Sequence, residues 1–84
     1  MPSPSLDPDK VLRALGQAVN EARKEKGLTQ EELALRVDLH ETYISLIERG
    51  QRNPTMGVVR RISHILGVPL SELAGRAEEL ERKL

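Results

Sequence analysis

Residues 27–50 carry the clearest structural signal of the 84-residue chain and read GLTQEELALRVDLHETYISLIERG. Thr29 and Glu32 have the spacing of a capping box, in which each side chain accepts a backbone N–H at the start of a helix. Apolar residues then recur at helical spacing on both sides of one tight turn. The pattern predicts two short helices, 30–37 and 41–49, joined in the helix-turn-helix arrangement.

Helical segments flank this corner on both sides. Upstream, apolar residues at three- and four-residue steps predict a helix over 9–26. Downstream, Thr55 suits the N-cap of a fourth helix that ends near Leu66, and a fifth helix begins at Pro69 or Ser71. Glycines follow the first, third and fourth helices as left-handed stops. The predicted fold class is therefore all-α, a compact five-helix bundle that contains the helix-turn-helix.

The composition narrows the class of protein. A chain of this size has room for a single core, and with 1% aromatic residues that core must be aliphatic. The absence of cysteine excludes disulfides and cysteine-based metal sites or nucleophiles. The two histidines, His40 and His64, lack metal-ligand spacing, so we expect no metal and no cofactor. Neither a glycine-rich phosphate loop nor a Ser–His–acid pattern stands out, and we expect that the chain is not an enzyme.

The ends of the chain differ from its middle. Residues 1–6 are rich in proline and serine and are interpreted as a flexible tail. Residues 7–74 form the predicted helix-turn-helix domain, and residues 75–84 extend the last helix as a candidate dimerisation element. No apolar run has the length of a membrane span and no signal segment opens the chain, so we expect a cytoplasmic protein without membrane contact.

Three runs carry a resemblance to a known family: 27–34 (GLTQEELA), 42–50 (TYISLIERG) and 52–55 (RNPT). Together they resemble the Xre/Cro-type helix-turn-helix family, which includes phage repressors and the controller proteins of restriction–modification systems. The resemblance covers roughly residues 11–73. It implies a lambda-repressor-like fold and a sequence-specific transcriptional regulator that binds double-stranded DNA as a homodimer.

The resemblance also implies roles for individual positions. Arg23 and Glu48 match a pair that in relatives forms a partly buried salt bridge between the first and third helices. Positions at the start of the second helix, along the third helix and in the loop after it face DNA in relatives. These positions are Gln30, His40, Glu41, Thr42, Tyr43, Ser45, Leu46, Arg52 and Asn53.

Several of these positions have a second interpretation that the sequence leaves open. Tyr43 fits either a DNA contact or a core aromatic with its hydroxyl at the surface. Leu46 fits either contact with a thymine methyl or packing on Met56 or Leu28. Arg52 fits either a phosphate contact or a solvated loop charge. Three further arginines are expected to form a solvated face, with contact to the DNA backbone as the less favoured alternative: Arg49, Arg60 and Arg61.

Glu41 stands where controller-like relatives often have an arginine. A carboxylate near base edges can accept from cytosine N4, whereas the acceptor pair of guanine repels it. Glu41 therefore either reads a cytosine in each half-site or points to solvent and stabilises the dipole of its helix.

The charge distribution predicts modest DNA affinity for each subunit. Residues 28–53 hold three basic and five acidic residues, although the whole chain has a formal net charge of zero. The net negative charge of residues 28–53 repels the DNA polyanion, so a few individual donor groups must attract the phosphates. The neutral charge also favours an alternative function, a protein-interaction module such as an antitoxin or a regulatory subunit that binds a protein partner.

Apolar residues at coiled-coil spacing mark the last helix: Leu70, Leu73, Ala77, Leu80 and Leu84. We predict that this stripe is too long for one small chain to cover, and that the fourth and fifth helices meet their counterparts in a two-fold dimer. Two third helices then face successive major grooves, about 34 Å apart, on a near-palindromic site. The alternative is that the stripe folds back on the core of its own chain.

Overall fold

The computed structural model describes residues 6–84, so all but Leu6 of the flexible tail predicted at residues 1–6 lies outside the described residues. The part of the chain described forms five α-helices: α1 (Pro8–Lys26), α2 (Gln30–Val37), α3 (Glu41–Glu48), α4 (Met56–Leu66) and α5 (Leu70–Lys83). The all-α prediction is confirmed, and each predicted helix end lies within one residue of the observed end. None of these helices is both long and apolar enough to cross a membrane.

Local hydrogen bonds explain where the helices begin. The Thr29 hydroxyl accepts from the Glu32 N–H at 3.1 Å, and the Glu32 carboxylate accepts from the Thr29 N–H at 3.0 Å, which confirms the capping box. Asp7 and Thr55 likewise accept from backbone N–H groups in the first turns of α1 and α4. Each cap satisfies a donor that the helix itself leaves unpaired.

The turn between α2 and α3 consists of Asp38, Leu39 and His40. Asp38 adopts a left-handed conformation with a φ of 58°, which aspartate tolerates better than most residues with a side chain. The Leu39 N–H donates to the Ala34 carbonyl at 2.9 Å and closes the end of α2. His40 Nδ1 then accepts from the Thr42 N–H at 3.0 Å, so His40 is the N-cap of α3.

Helix α1 is the centre of the packing and contacts α3, α4 and α5. The core is aliphatic, as the composition predicted. Its largest fully buried apolar side chains are Val19, Leu33, Val37, Ile44, Ile47, Ile62 and Leu73. Helix α3 rests directly on α1, and α2 rests on α3 and α4, so the corner between α2 and α3 is supported by the rest of the bundle.

Helix α5 packs on the core of its own chain. Leu73 is fully buried there. Three other members of the stripe pack partly against that core: Leu70, Ala77 and Leu80. Leu73 therefore follows the alternative in which the stripe folds back on its own chain, whereas a dimer contact of the partly buried members and of the exposed Leu84 stays a prediction. The reason for this packing is length, because α1 with 19 residues is about 28 Å long and spans the 14 residues of α5, about 21 Å.

Candidate nucleic-acid interface

Three polar side chains from two helices donate hydrogen bonds to the carboxylate of Glu48 on a third helix. The four residues are called here the Glu48 cluster: Asn20, Arg23, Gln30 and Glu48. Arg23 Nε lies 2.7 Å from Glu48 Oε2, and Arg23 Nη2 lies 2.9 Å from Glu48 Oε1. Asn20 Nδ2 and Gln30 Nε2 donate to the same Oε1 at 2.7 Å and 3.0 Å. The salt bridge that the family resemblance implied is present, and it is part of a larger network.

The two charged side chains of the Glu48 cluster are almost completely buried. Only 9% of the Arg23 side chain and 3% of the Glu48 side chain are exposed. Burial raises the pKa of the Glu48 carboxyl, but hydrogen bonds from Arg23, Asn20 and Gln30 outweigh it, so the pKa lies below its ordinary value. The hydrogen bond to Glu48 raises the pKa of Arg23. Both groups are therefore charged at neutral pH.

A glycine in the middle of α1 allows α3 to come this close. A Cβ at Gly16 would lie 2.3 Å from the Ile47 carbonyl oxygen and 2.6 Å from the Glu48 carbonyl oxygen, far inside contact distance. The absent side chain lets the two helix backbones touch beside the Glu48 cluster. Gly16 is not among the residues predicted from the sequence, although an isolated glycine in a helical pattern can signal close backbone approach.

One side of α3 is turned away from the core. Glu41 and Thr42 are exposed in its first turn, and Ser45 and Leu46 are half-buried in the next turn. Their spacing places them away from the buried Ile44. At the N-terminus of the helix, His40 Nδ1 accepts from the Thr42 N–H and the His40 carbonyl accepts from the Tyr43 N–H. The Glu41 N–H and the positive end of the dipole are what this helix end offers to an anion. Helix α3 thus presents a row of short side chains at a position suited to DNA.

Tyr43 and Arg52 are brought together by the loop after α3. The Arg52 guanidinium lies 5.1 Å from the centroid of the Tyr43 ring, within the distance of a cation–π contact. Tyr43 also packs partly against the core, as one of its two interpretations predicted. The contact holds the exposed Arg52 cation in a fixed position beside α3. A loop charge that was only solvated would have no such fixed position.

The other residues predicted to contact DNA lie around this row. His40 is exposed at the start of α3, and Asn53 is exposed in the loop after it. Gln30 is half-buried at the start of α2 and uses one amide N–H for Glu48. Its second amide N–H and its backbone N–H are left for an anion. Within residues 6–84, His, Asp and Glu side chains form no group of three that could hold a metal ion.

Arg49, Arg60 and Arg61 are exposed, as expected of a solvated arginine face. Arg61 also makes a bond that the sequence did not predict, because its Nη1 donates to the Val37 carbonyl at 2.9 Å. The guanidinium therefore supplies a hydrogen bond to one of the carbonyls that the end of α2 leaves unpaired and ties α4 to α2.

Comparison with known proteins agrees with this geometry. The pattern of the helix-turn-helix family matches residues 19–73, which is more than half of the chain. Control protein C.BamHI of Bacillus amyloliquefaciens is 48% identical over 59 residues, which cover 69% of this chain and 73% of that protein. An uncharacterised helix-turn-helix transcriptional regulator of Sinorhizobium fredii is 39% identical over 69 residues, which cover 82% of this chain and 90% of that protein.

Solved structures of regulators share the fold. The restriction-modification controller protein C.AhdI from Aeromonas hydrophila has a TM-score of 0.72 at 37% identity, with 74% of this chain and 94% of that chain covered. The clp gene regulator ClgR from Corynebacterium glutamicum has a TM-score of 0.84 at 27% identity, with 96% and 81% covered. These relatives agree with the prediction that the chain is not an enzyme. By sequence and by fold, the chain belongs to the Xre/Cro-type helix-turn-helix family of DNA-binding transcriptional regulators.

Proposed function

We propose that the chain acts in the cytoplasm as a homodimer that inserts α3 of each subunit into successive major grooves of a near-palindromic site. The observation that carries this proposal is the row at the start of α3, where Glu41 and Thr42 are exposed and Tyr43 holds Arg52 nearby. In this type of complex, side chains near the start of the recognition helix read base edges, while cations and N–H groups fix the register on the phosphates.

The nine predicted contact residues divide by chemistry. Gln30, Arg52 and Asn53 carry donors suited to phosphate oxygens, and the helix N-termini add backbone donors. Leu46 has no hydrogen-bonding group and suits a thymine methyl. The remaining candidates for base edges or the adjacent backbone lie between the N-cap of α3 and its fifth residue: His40, Glu41, Thr42, Tyr43 and Ser45.

A groove of about 550 Å³ supports a second copy of the chain as the partner. Its mostly apolar walls come from α1, from the start of α4 with its preceding loop and from the start of α5, and include Leu12, Leu15, Pro54, Met56 and Leu70. Met56 is 70% exposed, so its apolar side chain is available to a partner. Asn53 lines the same groove, so two copies joined here bring their Arg52 loops close to the two-fold axis.

Selection of bound sites from a random duplex library tests DNA binding, half-site spacing and base preference together. We expect two symmetry-related half-sites with centres about 34 Å apart. Arg52→Gln is expected to weaken binding to every sequence and to lower the slope of log affinity against log salt by about 1, because one phosphate contact is lost.

Arg82→Gln is the matched control for Arg52→Gln, because it removes the same charge from an exposed position near the end of α5. Its affinity and salt slope are expected to equal those of the unchanged chain. A library without an enriched site, or an Arg52→Gln variant that behaves like Arg82→Gln, contradicts the proposed DNA interface.

Met56→Glu tests the groove as the dimer interface. A carboxylate in an apolar contact is expected to shift the chain from dimer to monomer in sedimentation experiments, because the charge loses its hydration on association. Leu35→Glu is the matched control, since Leu35 is 75% exposed on α2 and lies outside the groove. Equal dimerisation of both variants excludes this groove without affecting the Arg52 result.

Glu41→Ala separates the two interpretations of Glu41. If Glu41 accepts from cytosine N4, preference at one base pair in each half-site relaxes by about 1–3 kcal/mol. If Glu41 points to solvent, affinity rises for all sequences alike, because one repulsive charge has gone. Titration of the variant with selected and random duplexes at one salt concentration measures both quantities.

A further inference from the structure

A second cavity lies between the end of α2 and the middle of α4, and none of the residues proposed for DNA contact lines it. Its volume is about 450 Å³, within the range of small-molecule sites in proteins. Val37 and Ile65 line it, and most of its surface is apolar. The cavity therefore offers room for an apolar group outside the α3 surface.

Three arginines and one histidine surround this apolar surface, and the site is called here the basic cavity: Arg36, Arg60, Arg61 and His64. Asp38 is the one acidic residue among those that line it. Because the whole chain has a formal net charge of zero, this excess of cations is a local feature. Guanidinium groups bind carboxylates and phosphates through paired, charge-assisted hydrogen bonds, so the cavity favours an anion over a neutral molecule or a cation.

Hydrogen bonds hold two of the guanidinium groups in place. Arg61 Nη1 donates to the Val37 carbonyl at 2.9 Å, and Arg60 Nη1 donates to Ser63 Oγ at 3.1 Å. Ser63 is buried and donates in turn to the Arg60 carbonyl at 2.8 Å. Each guanidinium has five N–H donors, so others are left for a ligand. Groups that are already ordered lose less freedom on binding, which favours affinity.

We infer that the basic cavity binds a small organic anion. Its carboxylate or phosphate head lies against Arg36, Arg60 and Arg61, and a short apolar body lies against the half-buried Ile65. The apolar lining argues against a DNA phosphate as the occupant, because the sugar-phosphate backbone would bring polar groups into contact with surface that cannot hydrogen-bond to them. Charge at the rim and apolar surface between the helices together match an amphiphilic anion.

Titration of the isotope-labelled full chain with octanoate, followed through its backbone amide NMR signals, tests this inference. We expect saturable shifts at residues 36–38 and 60–65. Octyl phosphate presents the other head group, and saturable binding of either anion at these residues supports the proposal. Octanol carries the same alkyl chain without a charge, and octylammonium carries the opposite charge. The dissociation constants of both are expected to exceed that of octanoate by about ten-fold or more.

The variant R36Q/R60Q removes two charges and leaves the bond from Arg61 to Val37 in place. Its dissociation constant for octanoate is expected to rise by about ten-fold or more, whereas R82Q binds like the unchanged chain. Arg36 and Arg60 are exposed, so the double variant is expected to fold. If the double variant does not fold, the octanoate affinity of the single variant R36Q is measured in its place.

Four results each overturn the inference. The first is that neither octanoate nor octyl phosphate gives saturable shifts, and the second is that octanol or octylammonium binds as tightly as octanoate. The third is an unchanged octanoate affinity in the arginine variants. The fourth is that the shifts are confined to the apolar groove between α1, α4 and α5. Shifts at the basic cavity that appear with duplex DNA and with neither anion also overturn it, and assign the arginines to the DNA backbone instead.

Discussion

Arginine–glutamate pairs join α1 to α3 and to α5, each through two hydrogen bonds of similar length but with different exposure to solvent. Arg23 makes two hydrogen bonds to Glu48, and Arg76 makes two to Glu25 at 2.9 Å and 3.0 Å. The first pair is almost completely buried, whereas 27% of the Arg76 side chain and 60% of the Glu25 side chain are exposed. The number and length of the hydrogen bonds therefore do not distinguish the contact of α1 with α3 from its contact with α5.

The surroundings of each pair decide how much stability depends on it. Water and salt screen the pair between Arg76 and Glu25, and either charge is hydrated when its partner is removed. Removal of one partner from the Glu48 cluster leaves a buried charge without compensation. We therefore expect the contact between α1 and α3 to be sensitive to single substitutions, and the contact between α1 and α5 to tolerate them.

Breaking the buried pair has the largest expected effect. Arg23→Ala and Glu48→Ala are each expected to lower the free energy of unfolding by about 3 kcal/mol, because the remaining charge stays buried. Urea denaturation at neutral pH measures the change. Glu25→Ala breaks the exposed pair and is the matched control, expected to differ from the unchanged chain by no more than experimental error. A loss in Glu48→Ala as small as that in Glu25→Ala contradicts the comparison.

Two glycines extend the comparison from charge to packing. Gly16→Ala is expected to destabilise the chain by about 2 kcal/mol, because its Cβ meets backbone atoms of α3. A Cβ at Gly75 of α5 meets nothing within 4 Å, so Gly75→Ala is expected to stabilise the chain by about 0.5–1 kcal/mol through helix propensity. Thermal and urea denaturation measure both. Changes of the same sign in the two variants argue against a tight α1–α3 contact.

Acidic pH is expected to have the smallest effect on the stability that depends on the Glu48 cluster. Although burial raises the pKa of Glu48, its three hydrogen-bond donors bring the pKa below the ordinary value of 4.5. The stability due to this group is therefore fully present above pH 4.5 and is lost as the pH falls through the folded-state pKa. Hydrogen bonds with Thr29 lower the pKa of Glu32, which contributes in the same direction.

The expected result is a decline in unfolding free energy below pH 4.5 that is shallower in Glu48→Gln than in the unchanged chain. Urea denaturation at a series of acidic pH values measures the slope. Glu32→Gln isolates the part due to the capping box. An acid slope that Glu48→Gln leaves unchanged shows that the carboxylate of the Glu48 cluster is not the group responsible.

The helix ends could be predicted because their causes are local. Thr29, Glu32 and His40 act on backbone groups two or three residues away, so the pattern that reveals them lies within one turn. The packing of α5 could not be predicted in the same way. The spacing of Leu73 and its neighbours shows which side of a helix is buried, but the same pattern results whether its own chain or a second chain covers that side.

The polar network of the corner was predictable only in part. The family resemblance implied the Arg23–Glu48 pair, whereas the bonds from Gln30 and Asn20 to Glu48 span 18 and 28 residues and leave no local trace in the sequence. The bond from Arg61 to the Val37 carbonyl spans 24 residues and was missed for the same reason. Long-range polar contacts depend on how helices are placed, and apolar periodicity does not encode that placement.

The position of Glu48 has a consequence for how such regulators diverge. Glu48 is the last residue of α3, about two turns from the exposed Glu41 and Thr42 at its start. Under the proposed function, substitutions at the start of α3 therefore change base preference while the buried attachment of the helix at its other end is unchanged. The part of α3 that would diverge is thus physically separate from the part that holds the helix in place.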